Sequence, residues 1–124
     1  MIESIDIGSN RVVALKASGE VTHEDYAKTL IPALEKGLEA AKAAKHKVRF
    51  YYELGEAFEG YTAHALWDDA RFGGEHLRDF ERIAVVTDHA VFSGAVRMLA
   101  PMISGEVRAW PLDKRDEARA WVCG

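Results

Sequence analysis

The sequence predicts a single α/β domain with an open, mixed sheet of about five strands and about four helices. Apolar runs of strand length alternate with longer segments that have the 3.6-residue periodicity of amphipathic helices. The order is two strands, three helix–strand units and a closing helix. A crossover helix makes the strands that it joins parallel, whereas the short first link predicts an antiparallel strand at one edge.

The N-terminal hairpin and the first helix follow from local signals. Strands are predicted at 2–7 and 11–18, and the capping-box-like Thr22–Asp25 predicts a helix start. An i, i+4 apolar stripe follows. Pro32 lies inside this stripe and lacks a backbone donor, so we expect a bend there or two abutting helices.

The third strand is predicted at Val48–Leu54, where side chains of opposite character alternate. One face is apolar, and the other carries Arg49, Tyr51 and Glu53. A strand between two helical layers is usually apolar on both faces. The polar face therefore predicts incomplete cover of the sheet, which is the simpler explanation, or a polar site near Glu53.

The central helix is predicted after Gly60. Its apolar stripe has the spacing of one helix face and consists of Ala63, Leu66, Trp67 and Ala70. Thr62 suits an N-cap or first-turn position, because its hydroxyl accepts from an unpaired backbone N–H. Gly73-Gly74 predicts the end of the helix in a left-handed conformation.

The C-terminal part of the chain predicts two further strands, at 83–86 and 106–110, and two helices. The segment 89–105 has a predicted core-facing stripe composed of Phe92, Ala95, Val96, Leu99 and Met102. Asp113 is the predicted cap of a closing helix that buries Ala118, Trp121 and Val122.

Bulk properties exclude several classes of protein. The 124 residues predict one domain, 1–124, and the formal charge of −4 argues against nucleic acid as a partner. A single cysteine, Cys123, cannot form an internal disulfide. The N-terminus lacks the features of a signal peptide, and no apolar run has transmembrane length. We expect a cytoplasmic protein, with peripheral membrane association as an alternative.

Five motifs, in their order and spacing, resemble the SpoIIAA-like family. They are G-E-V-T-x-x-D-Y (19–26), F-x-G (58–60), A-L-W-D-D (65–69), F-E-R-I-A-V-V-T-D (80–88) and A-x-x-W (118–121). The resemblance covers essentially the whole chain. It implies a STAS-type fold, grouped with CRAL-TRIO-like domains, in small bacterial proteins.

The resemblance also implies two kinds of function. Some relatives are similar to anti-sigma-factor antagonists, which carry a phosphorylatable Ser in an Asp-Ser-Ser-Gly-like motif at the start of the second helix. Here that motif corresponds to Gly60-Tyr61-Thr62-Ala63, so Thr62 is the candidate regulatory residue although the Asp and the Gly are missing. Other relatives resemble binders of a small hydrophobic ligand or lipid at a membrane surface.

Apolar residues on the central helix and in 89–105 are the candidate ligand-binding site. The set is Phe58, Tyr61, Leu66, Trp67, Val91, Phe92, Met98 and Met102. Methionine side chains adapt to varied apolar partners, although core packing also explains most of this segment. We expect a non-catalytic module for a small apolar ligand, or alternatively a regulator that acts through a protein partner.

Polar clusters offer weaker candidates. Ligands of open α/β sheets bind at the carboxyl ends of the strands, where this chain has Glu53, Phe58, Tyr61, Thr62, Thr87, Asp88 and His89. Capping and turn formation explain Thr62 and Asp88 more simply. His64 and Asp68 have metal-ligand spacing, with His76 as a third ligand, but a solvated helix face is the much simpler explanation.

No assembled catalytic motif is present in the sequence. Asp68-Asp69 with Arg71 suggests local ion pairs, and neither a nucleophile elbow nor a phosphate-binding glycine loop occurs. We therefore expect no enzyme activity, cofactor or metal.

Overall fold

The computed structural model describes residues 1–124 as one five-stranded sheet flanked by helices. The strands are β1 (Ile2–Ser4), β2 (Val12–Val21), β3 (Val48–Tyr61), β4 (Phe80–Val86) and β5 (Glu106–Trp110). The helices are α1 (His23–Asp25), α2 (Ile31–Ala43), α3 (Ala63–Glu75), α4 (Ala90–Leu99) and α5 (Arg115–Cys123). A π-helical turn (Tyr26–Leu30) joins α1 to α2, and 3₁₀ turns (Ala100–Met102 and Leu112–Lys114) follow α4 and precede α5.

The sheet has the predicted topology. The strand order is β1-β2-β3-β4-β5, with β1 antiparallel to β2 and every other pair parallel. Because the strand order follows the chain order, right-handed crossovers place α2, α3 and α4 on the same face of the sheet. The helix α5, which follows the last strand, covers the opposite face.

Two hydrophobic cores lie on the two faces of the sheet. The larger core contains 16 buried residues, including Tyr26, Leu34, Tyr52 and Phe72 beneath α2 and α3. The smaller core contains 8, and it is closed mainly by residues of α5. The difference in size matches the number of helices on each face.

The interruption predicted at Pro32 is present as the π-helical turn immediately before it. The N–H of Ile31 donates to the carbonyl of Tyr26, five residues earlier. Pro32 then occupies the first turn of α2, where a missing backbone donor is tolerated.

The strand β3 is twice as long as predicted and its polar face is buried. It continues to Tyr61, with an irregular pairing to β2 where Gly19 and Gly60 have positive φ angles of 62° and 121°. Glu53 is only 1% exposed, and Arg49 and Tyr51 are buried as well. The prediction of incomplete cover is therefore wrong, and the polar face of β3 forms a buried cluster around Glu53.

The helix α3 begins as predicted but is rotated. Thr62 is its N-cap, as the sequence indicates. The predicted apolar stripe of Ala63, Leu66, Trp67 and Ala70 faces solvent, and the buried positions are Ala65 and Phe72. Gly73 and Gly74 lie within the helix, which ends at Glu75, because neither glycine has a left-handed conformation.

The last two helices also differ from the prediction. In α4, Phe92 and Val96 are half-buried, whereas the predicted core positions Ala95, Leu99 and Met102 are exposed. The helix α5 buries Ala118 and Val122 and leaves Trp121 half-buried. It starts at Arg115 through a 3₁₀ turn, and Asp113 makes no capping hydrogen bond. None of the helices combines the length and apolar character needed to cross a bilayer.

Candidate functional site

The buried carboxylate of Glu53 lies between the sheet and α5 and has four polar partners. The Tyr51 hydroxyl donates to Oε1 at 2.6 Å, and the Arg119 guanidinium donates to the same oxygen at 3.1 Å. Arg115 donates to Oε2 at 3.5 Å, and the Lys16 ammonium lies 3.7 Å from that oxygen. All available oxygen positions are therefore occupied by the protein itself.

The protonation state of Glu53 follows from these contacts. Burial favours the neutral acid, but the hydrogen bonds from Tyr51 and Arg119 and the nearby guanidinium charges outweigh it and lower the pKa of Glu53. Burial and the bond to Glu53 raise the pKa of Tyr51 to about 12. A charged carboxylate fixed in this way anchors α5 and has no free oxygen for a ligand.

A second polar cluster lies under α3 in the larger core. The hydroxyl of the fully buried Tyr26 donates to Oδ1 of Asp69 at 2.7 Å, and the Tyr61 hydroxyl donates to that of Tyr52 at 3.1 Å. Burial raises the pKa of both Tyr26 and Tyr61 above the usual range. The four groups satisfy each other, so this cluster is a structural network.

Three of the predicted ligand-binding residues form a packed aromatic cluster. The ring centroids of Phe58, Tyr61 and Phe92 lie 5.3 Å from one another in edge-to-face arrangements, and the ring of His89 is 5.3 Å from Phe58. This cluster joins the end of β3 to the start of α4.

The other five predicted residues lie on the surface, and a sixth residue joins them. We call this set the α3–α4 apolar surface: Leu66, Trp67, Val91, Met98, Leu99 and Met102, each between 50% and 81% exposed. Leu99 was predicted to face the core and was therefore missed. The two helices start at the same edge of the sheet, where the contact of Tyr61 with Phe92 links them.

The polar residues at the carboxyl ends of the strands are used by the backbone. Thr62 Oγ1 accepts from the N–H of Ala65 at 3.1 Å, and Thr87 Oγ1 accepts from the N–H of His89 at 3.1 Å. Asp88 Oδ1 accepts from the N–H of Leu112 at 2.9 Å. Capping and turn formation therefore account for these side chains, as the simpler explanation stated.

The histidines are arranged differently from the predicted metal set. His64 and Asp68 lie near His23 of α1, whereas His76 pairs with Asp79 at 2.7 Å. Asp68 binds His23, and Arg71 pairs with Glu75, so the predicted ion pairs of Arg71 with the aspartates are wrong. No local pattern links His23 to His64 and Asp68, because it is about 40 residues from them in the chain.

The grooves of the protein are open and mixed in polarity. One groove, of about 390 Å³, lies between α4 and β5 and is lined by Val96, Arg97, Ala100, Val107, Arg108, Ala109 and Trp110. A second groove of about 320 Å³ adjoins it beside Thr87 and Asp88. Neither is the enclosed apolar cavity that typically holds a small hydrophobic ligand.

Fold and site together define a small STAS-type α/β domain whose prominent feature is an exposed apolar surface. The chain belongs to the SpoIIAA-like family, whose match covers residues 12–123. A crystal structure from Shewanella loihica PV-4, described as an uncharacterized protein of the DUF3478 family with a SpoIIAA-like fold, is similar with a TM-score of 0.71. It is 27% identical, and the likeness covers 99% of this chain and 93% of that one. No curated protein matches the sequence.

Proposed function

We propose that this protein is a non-catalytic module that binds a protein partner through the α3–α4 apolar surface, in the manner of a STAS-type regulator. The observation that carries the proposal is the exposure of Trp67 (66%) and Met98 (81%) together with four further large apolar side chains. We infer that these side chains form one patch, since contiguous exposed apolar patches mark interaction sites. Tryptophan is enriched in the central contacts of protein interfaces.

Charge favours a protein over a membrane as the partner. A helix that lies on an anionic bilayer usually has several Lys or Arg residues beside its apolar face. Arg97 is the only Lys or Arg in α4, and the chain has a net charge of −4. An apolar surface with so few basic residues beside it is better suited to binding a protein than to binding an anionic membrane.

Thr62 is the proposed regulatory residue of this surface. It lies one helical turn before Leu66, and its backbone begins α3. A phosphate there would be stabilised by the helix N-terminus, and it would add negative charge beside Leu66 and Trp67. Phosphorylation would therefore weaken an apolar contact with the partner.

The partner is identified by site-specific cross-linking in cells of the source organism. A photoreactive residue replaces Trp67 in one variant and Met98 in another, and a third variant has it at the exposed Glu39 of α2 as a matched control. We expect positions 67 and 98 to capture the same protein and position 39 not to capture it. Equal capture at all three positions would contradict the proposal.

Binding of the captured protein is then measured with purified variants. Trp67→Asp and Met98→Asp should each weaken the affinity at least tenfold, and Glu39→Lys should leave it unchanged. Thr62→Glu should weaken it as well, whereas Thr62→Ser retains the capping hydroxyl and should bind normally. An unchanged affinity in Trp67→Asp would show that the partner does not bind to the α3–α4 apolar surface. An unchanged affinity in Thr62→Glu would contradict only the regulatory role of Thr62.

A small apolar ligand or lipid is the second candidate occupant. The flexible side chains of Met98 and Met102 favour it, since they can rearrange around varied apolar groups. Native mass spectrometry of the purified protein distinguishes this candidate. A mass excess that disappears on denaturation, and that is absent from Met98→Asp, would support ligand binding. A native mass equal to the mass of the chain alone would favour the protein partner.

A further inference from the structure

We propose that His23, His64 and Asp68 bind a divalent transition-metal ion. One ligand atom from each of these side chains lies within 4.8 Å of the others, and no other three His, Cys, Asp or Glu residues in the chain are as close. The site is on the same end of α3 as Thr62. It shares no residue with the α3–α4 apolar surface and does not depend on the function proposed for that surface.

The backbone holds the two helix starts beside each other. His23 is the first residue of α1 and follows its N-cap Thr22, while His64 follows the N-cap Thr62 of α3 by two residues. The N–H of Thr62 donates to the carbonyl of Val21 at 2.9 Å, which fixes the two segments together. The relative placement of the two histidines is therefore set by the sheet and both caps.

Asp68 orients His23 for metal binding. Its Oδ2 is 2.5 Å from Nδ1 of His23, and the two atoms are joined by one hydrogen bond. An ion that displaces this hydrogen takes Nδ1 and Oδ2 as neighbouring ligands, because imidazole and carboxylate groups bind metals in their deprotonated forms. Asp68 is one helical turn after His64, so it also lies within reach of an ion between the rings.

His64 is the ring that adjusts. The rings of His23 and His64 are stacked with centroids 3.8 Å apart and planes 2° from parallel. Each nitrogen lone pair lies in the plane of its ring, so one ion can face lone pairs of both stacked rings only if one ring turns. The His64 ring is exposed and makes no hydrogen bond, whereas Asp68 holds His23. Rotation of the His64 side chain alone brings the ligands together.

The ligand types select the class of ion. Imidazole nitrogens suit Zn²⁺, Cu²⁺ and Ni²⁺, whereas Mg²⁺ and Ca²⁺ prefer sites made of oxygen ligands. Three protein ligands on an exposed surface leave a fourth position for water. The side chain of His23 is 46% exposed, so an ion can reach the site without opening the fold.

His76 provides an internal control. It has a carboxylate partner, Asp79, at 2.7 Å, but it has no second histidine beside it. It lies 12 residues after His64 near the end of the same helix, a distance of about 18 Å along the axis. We therefore expect no metal binding at His76, because a histidine–aspartate pair without a second histidine supplies too few ligands.

The test is calorimetric titration of the tag-free protein with Zn²⁺, and with Mg²⁺ in parallel. We expect one Zn²⁺ per chain, no saturable binding of Mg²⁺, and an increase in thermal stability with Zn²⁺. His64→Ala should weaken Zn²⁺ binding at least tenfold without changing the fold, because that ring is exposed. His76→Ala should bind as the unsubstituted protein does.

Three results would overturn the proposal. They are the absence of saturable Zn²⁺ binding, equal affinity in His64→Ala, and an equal loss in His76→Ala, which would indicate nonspecific binding to surface histidines. Asp68→Asn gives a further check, since it keeps the size of the side chain but removes the charge. An affinity of Asp68→Asn equal to that of the unsubstituted protein would remove Asp68 from the site.

Discussion

The helices α4 and α5 lie on opposite faces of the sheet, but the more polar helix is the more buried one. The nine residues of α5 include four charged side chains, and yet Ala118 and Val122 are 0% exposed. The ten residues of α4 are largely apolar, and none of them is buried. Hydrophobicity by itself therefore did not decide which helix packs closely.

Polar anchors explain the position of α5. Arg115 and Arg119 bind the buried Glu53, and the guanidinium groups of Arg49 and Arg82 donate to carbonyls of the last turn, at 3.0 and 2.7 Å. Cations at a helix C-terminus are favourable because of the helix dipole. The helix is thus fixed to the sheet along its whole length.

No comparable anchor holds α4. Its only charged side chain, Arg97, forms no ion pair, and its contact with the larger core is made by the half-buried Phe92. The apolar residues that remain are not used by the fold, which is why we assign them to a partner. The comparison predicts that substitutions at the anchors of α5 affect stability, whereas those on α4 affect binding.

The largest effect is expected for Glu53→Ala. The change leaves the buried Tyr51 hydroxyl without its acceptor and two guanidinium groups without their carboxylate, and it should cost about 2–3 kcal/mol of unfolding free energy. The cost is below that of a fully buried ion pair, because the side chains of Arg115 and Arg119 are about one-third exposed. Urea denaturation measures it. Glu53→Gln keeps an acceptor for Tyr51 and should lose less; equal losses would show that the hydrogen bond does not contribute.

The next largest effect is expected for Gly105→Ala, at the start of β5. An added Cβ would overlap the carbonyl oxygen of Phe80 and lie 2.5 Å from that of Glu81. Neither is a flexible side-chain atom, so β5 must shift, at a cost of about 1–3 kcal/mol. A reduced urea midpoint should show this. An unchanged midpoint would mean that β5 and the 3₁₀ turn after α4 move freely.

Acid should weaken the attachment of α5. The pKa of Glu53 is lower in the folded protein than the ordinary value of 4.5. The charged carboxylate therefore stabilises the fold fully at pH values above 4.5, and this stabilisation is lost as the pH falls below 4.5 and through the pKa of the folded protein. Thermal unfolding between about pH 3 and 6 measures the loss. Glu53→Gln should have a shallower dependence on pH; the same slope as in the unsubstituted protein would assign the effect to other carboxylates.

A gain in stability is expected for Gly94→Ala in α4. An added Cβ at this position meets no atom within 4 Å, and alanine is favoured over glycine inside a helix by about 0.5–1 kcal/mol. The urea midpoint should rise accordingly. A decrease would show that α4 is packed as closely as α5 and would remove the contrast between them.

The smallest effect on stability is expected for Met98→Asp. The side chain is 81% exposed and away from the anchors, so the unfolding free energy should change by no more than about 0.5 kcal/mol. The same substitution should weaken partner binding at least tenfold, as proposed above. A large loss of stability would mean that Met98 belongs to the core.

The prediction of the fold succeeded where the signal was local and failed where it depended on helix rotation. Periodicity defined the strands, the hairpin and the N-cap at Thr62, since neighbouring residues produce these features. It also found the stripe of Leu66 and Trp67, but a stripe does not indicate the direction in which it faces. The rotation of α3 depends on a residue from another segment. The buried hydroxyl of Tyr26 requires an acceptor, and Asp69 of α3 supplies it, so the polar side of α3 faces the core at this point.

The candidate sites also depend on contacts between residues that are far apart in the chain. The sequence identified Glu53 and the exposed apolar residues, but it gave no reason to place Arg119 beside Glu53, from which it is 66 residues away. The i, i+4 spacing of Arg115 and Arg119 was the available signal, because it puts two cations on one face of α5.

By itself the sequence determined the α/β class, the strand directions and the family, because alternation of elements and motif spacing are properties of the chain. The tertiary structure decided which apolar residues are buried, what neutralises Glu53, and that His23 meets His64. Each of these outcomes depends on a contact between segments that are far apart in the chain. Local periodicity carries no information about such contacts, and the packing of helices on the sheet supplies it.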